Sequence, residues 1–200
     1  MPPITLALIL INIAVYALMI ATGPEIVRTF GLWPPGSGGS FHVWQFVTYA
    51  FLHGSPLHLG FNLFALWMFG AELERRWNDL RYLLTFLLSV IVAGMTQVVV
   101  SGYFLQASGP VVGASGGVFG LLLAYALYFP NRVVSFIFLP FIQIRTRTFV
   151  LLYGAIELLL GVTNTGAGIA HFAHLGGLFG GWLAVQYFRR RGVFGRRPSA

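Results

Sequence analysis

The sequence predicts an all-α membrane protein, a single domain over residues 1–200 folded as a bundle of six transmembrane helices with a structured first outer loop. Three observations predict it. Hydrophobic residues make up 57% of the chain and charged residues 8%, where soluble domains run at about a quarter charged. A soluble chain of 200 residues could not hide so much apolar surface, because much of any fold still faces water. The apolar residues gather into six stretches near the length that spans a bilayer, and the basic residues sit between those stretches or after the last.

The stretches fall at about 3–22, 57–73, 80–101, 112–129, 148–163 and 168–188, followed by a basic tail at 189–200. The first lacks a basic leader and a small-residue cleavage site, so it reads as a retained helix and not a signal peptide. The segment from 23 to 56 holds Trp33-Pro34-Pro35-Gly36 and then Phe41, Trp44, Phe46, Tyr49 and Phe51. It is too broken to span and too aromatic for a free linker. A structured loop lying partly in the outer interface follows, since rings are favoured there. His42 and His53 fall in or near this loop and read as interfacial. The other two outer turns are 106–110 and 163–167.

All twelve basic residues are arginine, and the net charge is +7. Arg75, Arg76 and Arg81 lie between the second and third stretches; Arg132, Arg145 and Arg147 lie between the fourth and fifth. Arg189, Arg190, Arg191, Arg196 and Arg197 follow the sixth, and only Arg28 lies on the opposite side. This asymmetry predicts a multi-pass protein with both termini in the cytoplasm and anionic lipids against its cytoplasmic face. Arginine without lysine points to a bacterial genome rich in G and C, and the expected location is the bacterial cytoplasmic membrane. Nucleic acid is not a predicted partner, because no basic and aromatic face accompanies the charge. The chain has no cysteine, which excludes disulfides, thiol catalysis and cysteine-ligated metals.

Polar groups inside spans are costly and point to function. His58 and Asn62 lie 17 and 13 residues from Arg75, Ser115 lies 17 from Arg132, and His174 lies 15 from Arg189. At a rise of about 1.5 Å per residue, all four sit about 20–25 Å above the cytoplasmic boundary of a core about 30 Å thick. Three helices thus bring a serine, two histidines and an amide to one layer. A serine attacks a carbonyl when a neutral histidine takes its proton. The developing oxyanion needs donors, and the Asn62 amide, the His58 ring and the Ser115 backbone N–H at a helix start offer them. Gly113, Gly116, Gly117 and Gly120 on one helix, and Gly176, Gly177, Gly180 and Gly181 on another, form small-residue faces that let helices approach closely. Such packing would bring Ser115 to His174.

Other readings of the same residues fare less well. Gly113-Ala114-Ser115-Gly116-Gly117 also matches a nucleophile elbow, but that needs a preceding strand, and no acidic third member is expected nearby. His171, His174 and His58 suggest a metal site, yet no buried carboxylate is expected to complete a ligand set. No metal is therefore predicted. Glu157, an acid inside the fifth stretch, is left without an assignment, whether at a substrate gate or paired with a donor in the bundle.

The motifs resemble those of the rhomboid family of intramembrane serine proteases over nearly the whole chain. The residues that carry the resemblance are His58-Leu59-Gly60-Phe61-Asn62, Gly113-Ala114-Ser115-Gly116, and Ala173-His174-Leu175-Gly176-Gly177 continuing to Gly181. Phe51-Leu52-His53 and Glu74-Arg75-Arg76 add to it. The resemblance implies a Ser115–His174 dyad, selecting His174 over His171 because the spacing to Gly177 and Gly181 fits only His174. It implies an oxyanion hole from His58, Asn62 and the Ser115 backbone, with Gly113, Gly116 and Phe119 in support, and no cofactor. The implied activity is endopeptidase cleavage of transmembrane segments of membrane protein substrates. There are two departures. Trp44-Gln45 replaces the usual Trp-Arg of the first loop, and Phe119 replaces the tyrosine that in some members stacks on the histidine. The rival expectations are a non-catalytic rhomboid-like protein that binds membrane clients, and a small-solute transporter, against which the lack of a second matching half counts.

Overall fold

The computed structural model describes residues 1–105, 109–136, 139–163 and 170–190. Parts of the two short outer turns, the first residues of the expected sixth stretch and the tail from 191 onward lie outside them. The described chain is mostly helical, in the order α1 Pro3–Thr22, α2 Glu25–Phe30, α3 Gln45–Thr48, α4 Pro56–Ala65, α5 Ala71–Arg76, α6 Asp79–Val100, α7 Ser115–Tyr128, β1 Val133–Phe136, β2 Leu139–Arg145, α8 Thr146–Val162 and α9 His171–Arg190.

α1 shows how these helices bury their residues. Its buried positions are Thr5, Leu8 and Asn12, while Leu10, Ile13, Leu18 and Ile20 are exposed. The polar side faces the bundle and the apolar side faces out, the reverse of a soluble helix. α1 and α6 are each long and apolar enough to cross a membrane. The α1 N-terminus is closed by Glu74 of α5, whose carboxylate accepts from the Ile4 and Thr5 N–H groups, both at 2.7 Å, and from the Thr5 hydroxyl at 2.6 Å. A carboxylate on a helix N-terminus satisfies orphan donors and complements the macrodipole.

α4 starts where Ser55 accepts from the His58 N–H at 3.1 Å and Pro56 takes the first helical position, where its missing N–H costs nothing. A π turn at Leu66–Gly70 joins α4 to α5. Gly70 passes so close to the Tyr82 hydroxyl of α6 that a Cβ would collide with it. α6, α7 and α9 form the tightest part of the bundle. A Cβ on Gly177 would run into the Gly116 carbonyl, and one on Gly181 into the Gly120 carbonyl. In lipid, where apolar burial gives little drive for helices to associate, such close backbone packing holds them together.

Two expectations change. The chain is not all-α: β1 and β2 pair antiparallel, with Val133 opposite Arg145 and Ser135 opposite Gln143. This hairpin occupies the arginine-bearing connection before α8. β-Branched and aromatic residues dominate it, and these favour a pleated strand over a helix. The expected stretch at 112–129 begins as a helix only at Ser115, because Gly113 has φ +127°, outside the helical range and accessible to glycine.

The loop between α1 and α4 is built of α2, α3 and a 3₁₀ turn at Tyr49–Phe51. Leu32 and Val111 exchange backbone hydrogen bonds of 3.0 and 2.8 Å, and Gly113 N–H donates to the Tyr49 carbonyl at 3.0 Å. The loop is therefore tied to the segment that carries Ser115.

Candidate active site

Ser115 is the first residue of α7, with Ala114 at its N-cap. The glycine at 113 has a steric cause: a Cβ there would lie 2.6–2.7 Å from the His58 ring. His58 of α4 therefore packs against the backbone just ahead of Ser115. His174 sits one turn into α9, and its Nε2 is 2.9 Å from Ser115 Oγ. The His174 ring stacks on Phe119, one turn after Ser115, with centroids 4.3 Å apart and planes 5° apart. Phe119 in turn stacks on Tyr153 of α8 at 5.1 Å, and Tyr153 on Phe149 at 5.7 Å. Four near-parallel rings thus run from α9 across α7 to α8.

Asn62 lies one turn after His58 and is buried, with Nδ2 donating to the His58 carbonyl at 2.9 Å. A side-chain amide carries two N–H groups, and its second makes no hydrogen bond among the described residues. The α7 N-terminus supplies further unpaired backbone donors. Ser115, His174, His58, Phe119 and Gly113 are brought together directly. Asn62 is tied to the His58 backbone, and Gly116 lies at the α6 and α9 contact, where a Cβ would collide with Ala93 unless the helices shift.

One of the two loop histidines departs from expectation. His53 is not interfacial: it is 1% exposed, edge-on to His58 with centroids 5.1 Å apart. Burial, followed by the His58 charge, pushes its pKa down to about 4, so it is neutral at pH 7. His42 is exposed and stacks on Trp44 at 4.4 Å.

The expectation that no buried acid lies near the serine is overturned. Glu157 is 4% exposed, and its Oε2 lies 2.7 Å from His171 Nδ1 and 3.0 Å from His174 Nδ1. The oxygen is aligned for a hydrogen bond with His171; at His174 it is within ion-pair distance but off the hydrogen-bond line. These three donors, all within 4.8 Å of one another, are the residues that could hold a metal. Zinc bonds of about 2.0–2.1 Å at tetrahedral angles need donors about 3.3 Å apart, so the cluster would have to spread from its hydrogen-bonded arrangement. Spacing gave no hint of the pairing, because Glu157 and His171 are on different helices. The available signal was a lone acid in an apolar span, which must find a partner.

The rhomboid domain model matches residues 40–191. This chain belongs to the rhomboid family. The rhomboid chain is 33% identical over 188 residues to the rhomboid protease GlpG of Yersinia pestis, covering 94% of this chain and 63% of the relative. With the rhomboid protease GlpG of Klebsiella pneumoniae it shares 30% over 186 residues, or 92% of this chain and 62% of the relative. This rhomboid chain thus spans a little under two thirds of the length of the curated relatives it matches.

Proposed function

We propose that this rhomboid is an intramembrane serine endopeptidase that cleaves transmembrane segments of membrane protein substrates. The observation that carries the reading is the 2.9 Å contact between Ser115 Oγ and His174 Nε2. Ser115 attacks the scissile carbonyl as His174 takes its proton. His174 then gives that proton to the leaving amine, and water hydrolyses the acyl-enzyme by the reverse roles. The oxyanion forms against the Ser115 backbone N–H, the free N–H of Asn62 and the His58 ring, fixed donors that need no reorganisation. The names of the relatives, rhomboid proteases, support the same activity.

In this reading the six spans are α1, α4 with α5, α6, α7, α8 and α9, forming one domain. The arginine clusters face the cytoplasm of a bacterial inner membrane and meet anionic lipid there. The substrate segment enters sideways near α4 and α8, unwinding locally because helical carbonyls are already hydrogen-bonded.

A fluorophosphonate probe applied to the detergent-purified protein tests the proposal. Ser115 is labelled in the wild type, Ser115→Ala shows no labelling, and His174→Ala labels about 10²–10⁴-fold more slowly. Cleavage of a transmembrane substrate in liposomes follows the same order. Wild-type protein that neither labels nor cleaves would instead fit a rhomboid-like client-binding protein.

A further inference from the structure

We infer that Glu157 is a positioning residue for His174, so that this chain sets its serine with three groups, Ser115, His174 and Glu157, from three helices. The inference rests on the proposed roles of Ser115 and His174. Its basis is the placement of the carboxylate. Nε2 of His174 faces Ser115 at 2.9 Å, and the other ring nitrogen, Nδ1, lies 3.0 Å from Glu157 Oε2. Glu157 and His174 are both largely shielded, with side-chain exposures of 6% and 12%.

A neutral imidazole carries one proton, and the group opposite Nδ1 decides where it resides. A carboxylate at Nδ1 holds the proton there, leaving Nε2 with a lone pair aimed at the serine hydroxyl. Without it, the Nε2–H tautomer would leave Ser115 with no base. When the Ser115 proton passes to Nε2 the ring becomes an imidazolium, and the adjacent negative charge stabilises it without itself accepting the proton.

His171 shares this carboxylate from one turn away, at 2.7 Å and in better line. Glu157 is therefore divided between two rings, and a small rotation of its carboxylate carries it from one to the other. Apo geometry at catalytic bonds is commonly loose in this way. The titratable groups near His174 are His58 of α4, Glu157 of α8 and His171 of α9 itself, with Tyr153 of α8 beyond the Phe119 ring. α7 has no charged residue, and those of α6, Asp79 and Arg81, lie in its first turn at the far end. Glu157 is thus the one anion at this level among the described residues. Zinc on the same three donors would occupy His174 Nδ1 and compete with this arrangement, so the experiment is run with EDTA.

The reaction with a fluorophosphonate probe forms an Oγ–P bond and expels fluoride, with the serine proton passing through His174. Saturation kinetics separate probe binding from the chemical step. Glu157→Gln lowers the maximal inactivation rate constant about tenfold or more while the half-saturating probe concentration is unchanged. Glu157→Asp, which keeps the charge, recovers part of the rate, and His171→Asn loses less than Glu157→Gln. Equal losses for His171→Asn and Glu157→Gln would assign Glu157 to helix packing and overturn the inference. So would a Glu157→Gln rate equal to wild type. ¹⁵N NMR of histidine in the wild type gives a second measurement that needs no Glu157 variant. With His174 assigned by its loss in His174→Asn, a neutral ring protonated at Nδ1 is expected, and one protonated at Nε2 would overturn the inference. A wild-type protein that does not label at all removes the proposed protease function instead.

Discussion

Gln45 shows how much one buried side chain can hold. It is fully buried in the loop between α1 and α4. Its Oε1 accepts from the Trp33 and His42 N–H groups at 3.3 and 3.2 Å, and its Nε2 donates to the Thr29 and Ser40 carbonyls at 3.3 and 3.1 Å. The amide meets both donors and acceptors, which the guanidinium of the usual arginine cannot do, because arginine only donates. The substitution thus changes the bonding of the loop while leaving it stitched. Gln45→Ala leaves those backbone groups unpaired and is expected to cost about 1–3 kcal/mol, read as a lower midpoint of unfolding in detergent. Ser115 itself should keep its probe-binding step if the loop stays closed. The serine, both paired histidines and His58 were legible as residues because polar groups stand out in apolar spans. The bonding of Gln45 was not, since its partners are backbone atoms in two stretches of one loop, 29–33 and 40–42.

At the scale of elements, the contact of α7 with α9 sets the serine-to-histidine distance. Gly116 and Gly177 meet there backbone to backbone, as do Gly120 and Gly181. Gly177→Ala forces the two helices apart, and overpacking of this kind costs about 1–3 kcal/mol. The expected result is a loss of thermal stability together with slowed Ser115 labelling, measured on the same preparation. The glycine faces were readable as a reason for close approach, because small residues three and four apart share a helix side. The start of α7 was not readable, since Gly113 is one of 25 glycines and only the position of the His58 ring shows why it breaks the helix. The β1–β2 hairpin left a local signal in Phe141-Ile142-Gln143-Ile144-Arg145, an apolar and polar alternation hidden by the arginines on either side.

At the scale of the whole molecule, the outward apolar face belongs to an integral membrane protein, and the proposed topology puts the arginine clusters on one side of the bilayer. The absence of cysteine makes the orientation simple to measure. Ser40 in the first loop and Asn131 ahead of β1 are both exposed. In intact cells, Ser40→Cys is expected to react with a membrane-impermeant maleimide from outside, and Asn131→Cys only after the inner membrane is opened. The reverse pattern would invert the proposed topology. The row of rings from His174 through Phe119 to Tyr153 and Phe149 acquires a meaning at this scale. Two of its members, and Glu157, ride on α8, while His174 rides on α9. Swinging α8 outward would part the row between Tyr153 and Phe119 and draw Glu157 from His174 in the same movement. If substrate enters past α8 and His174 is the base, as proposed, entry and reactivity would be coupled: displacing α8 takes from His174 the carboxylate that orients it, and closing α8 returns it.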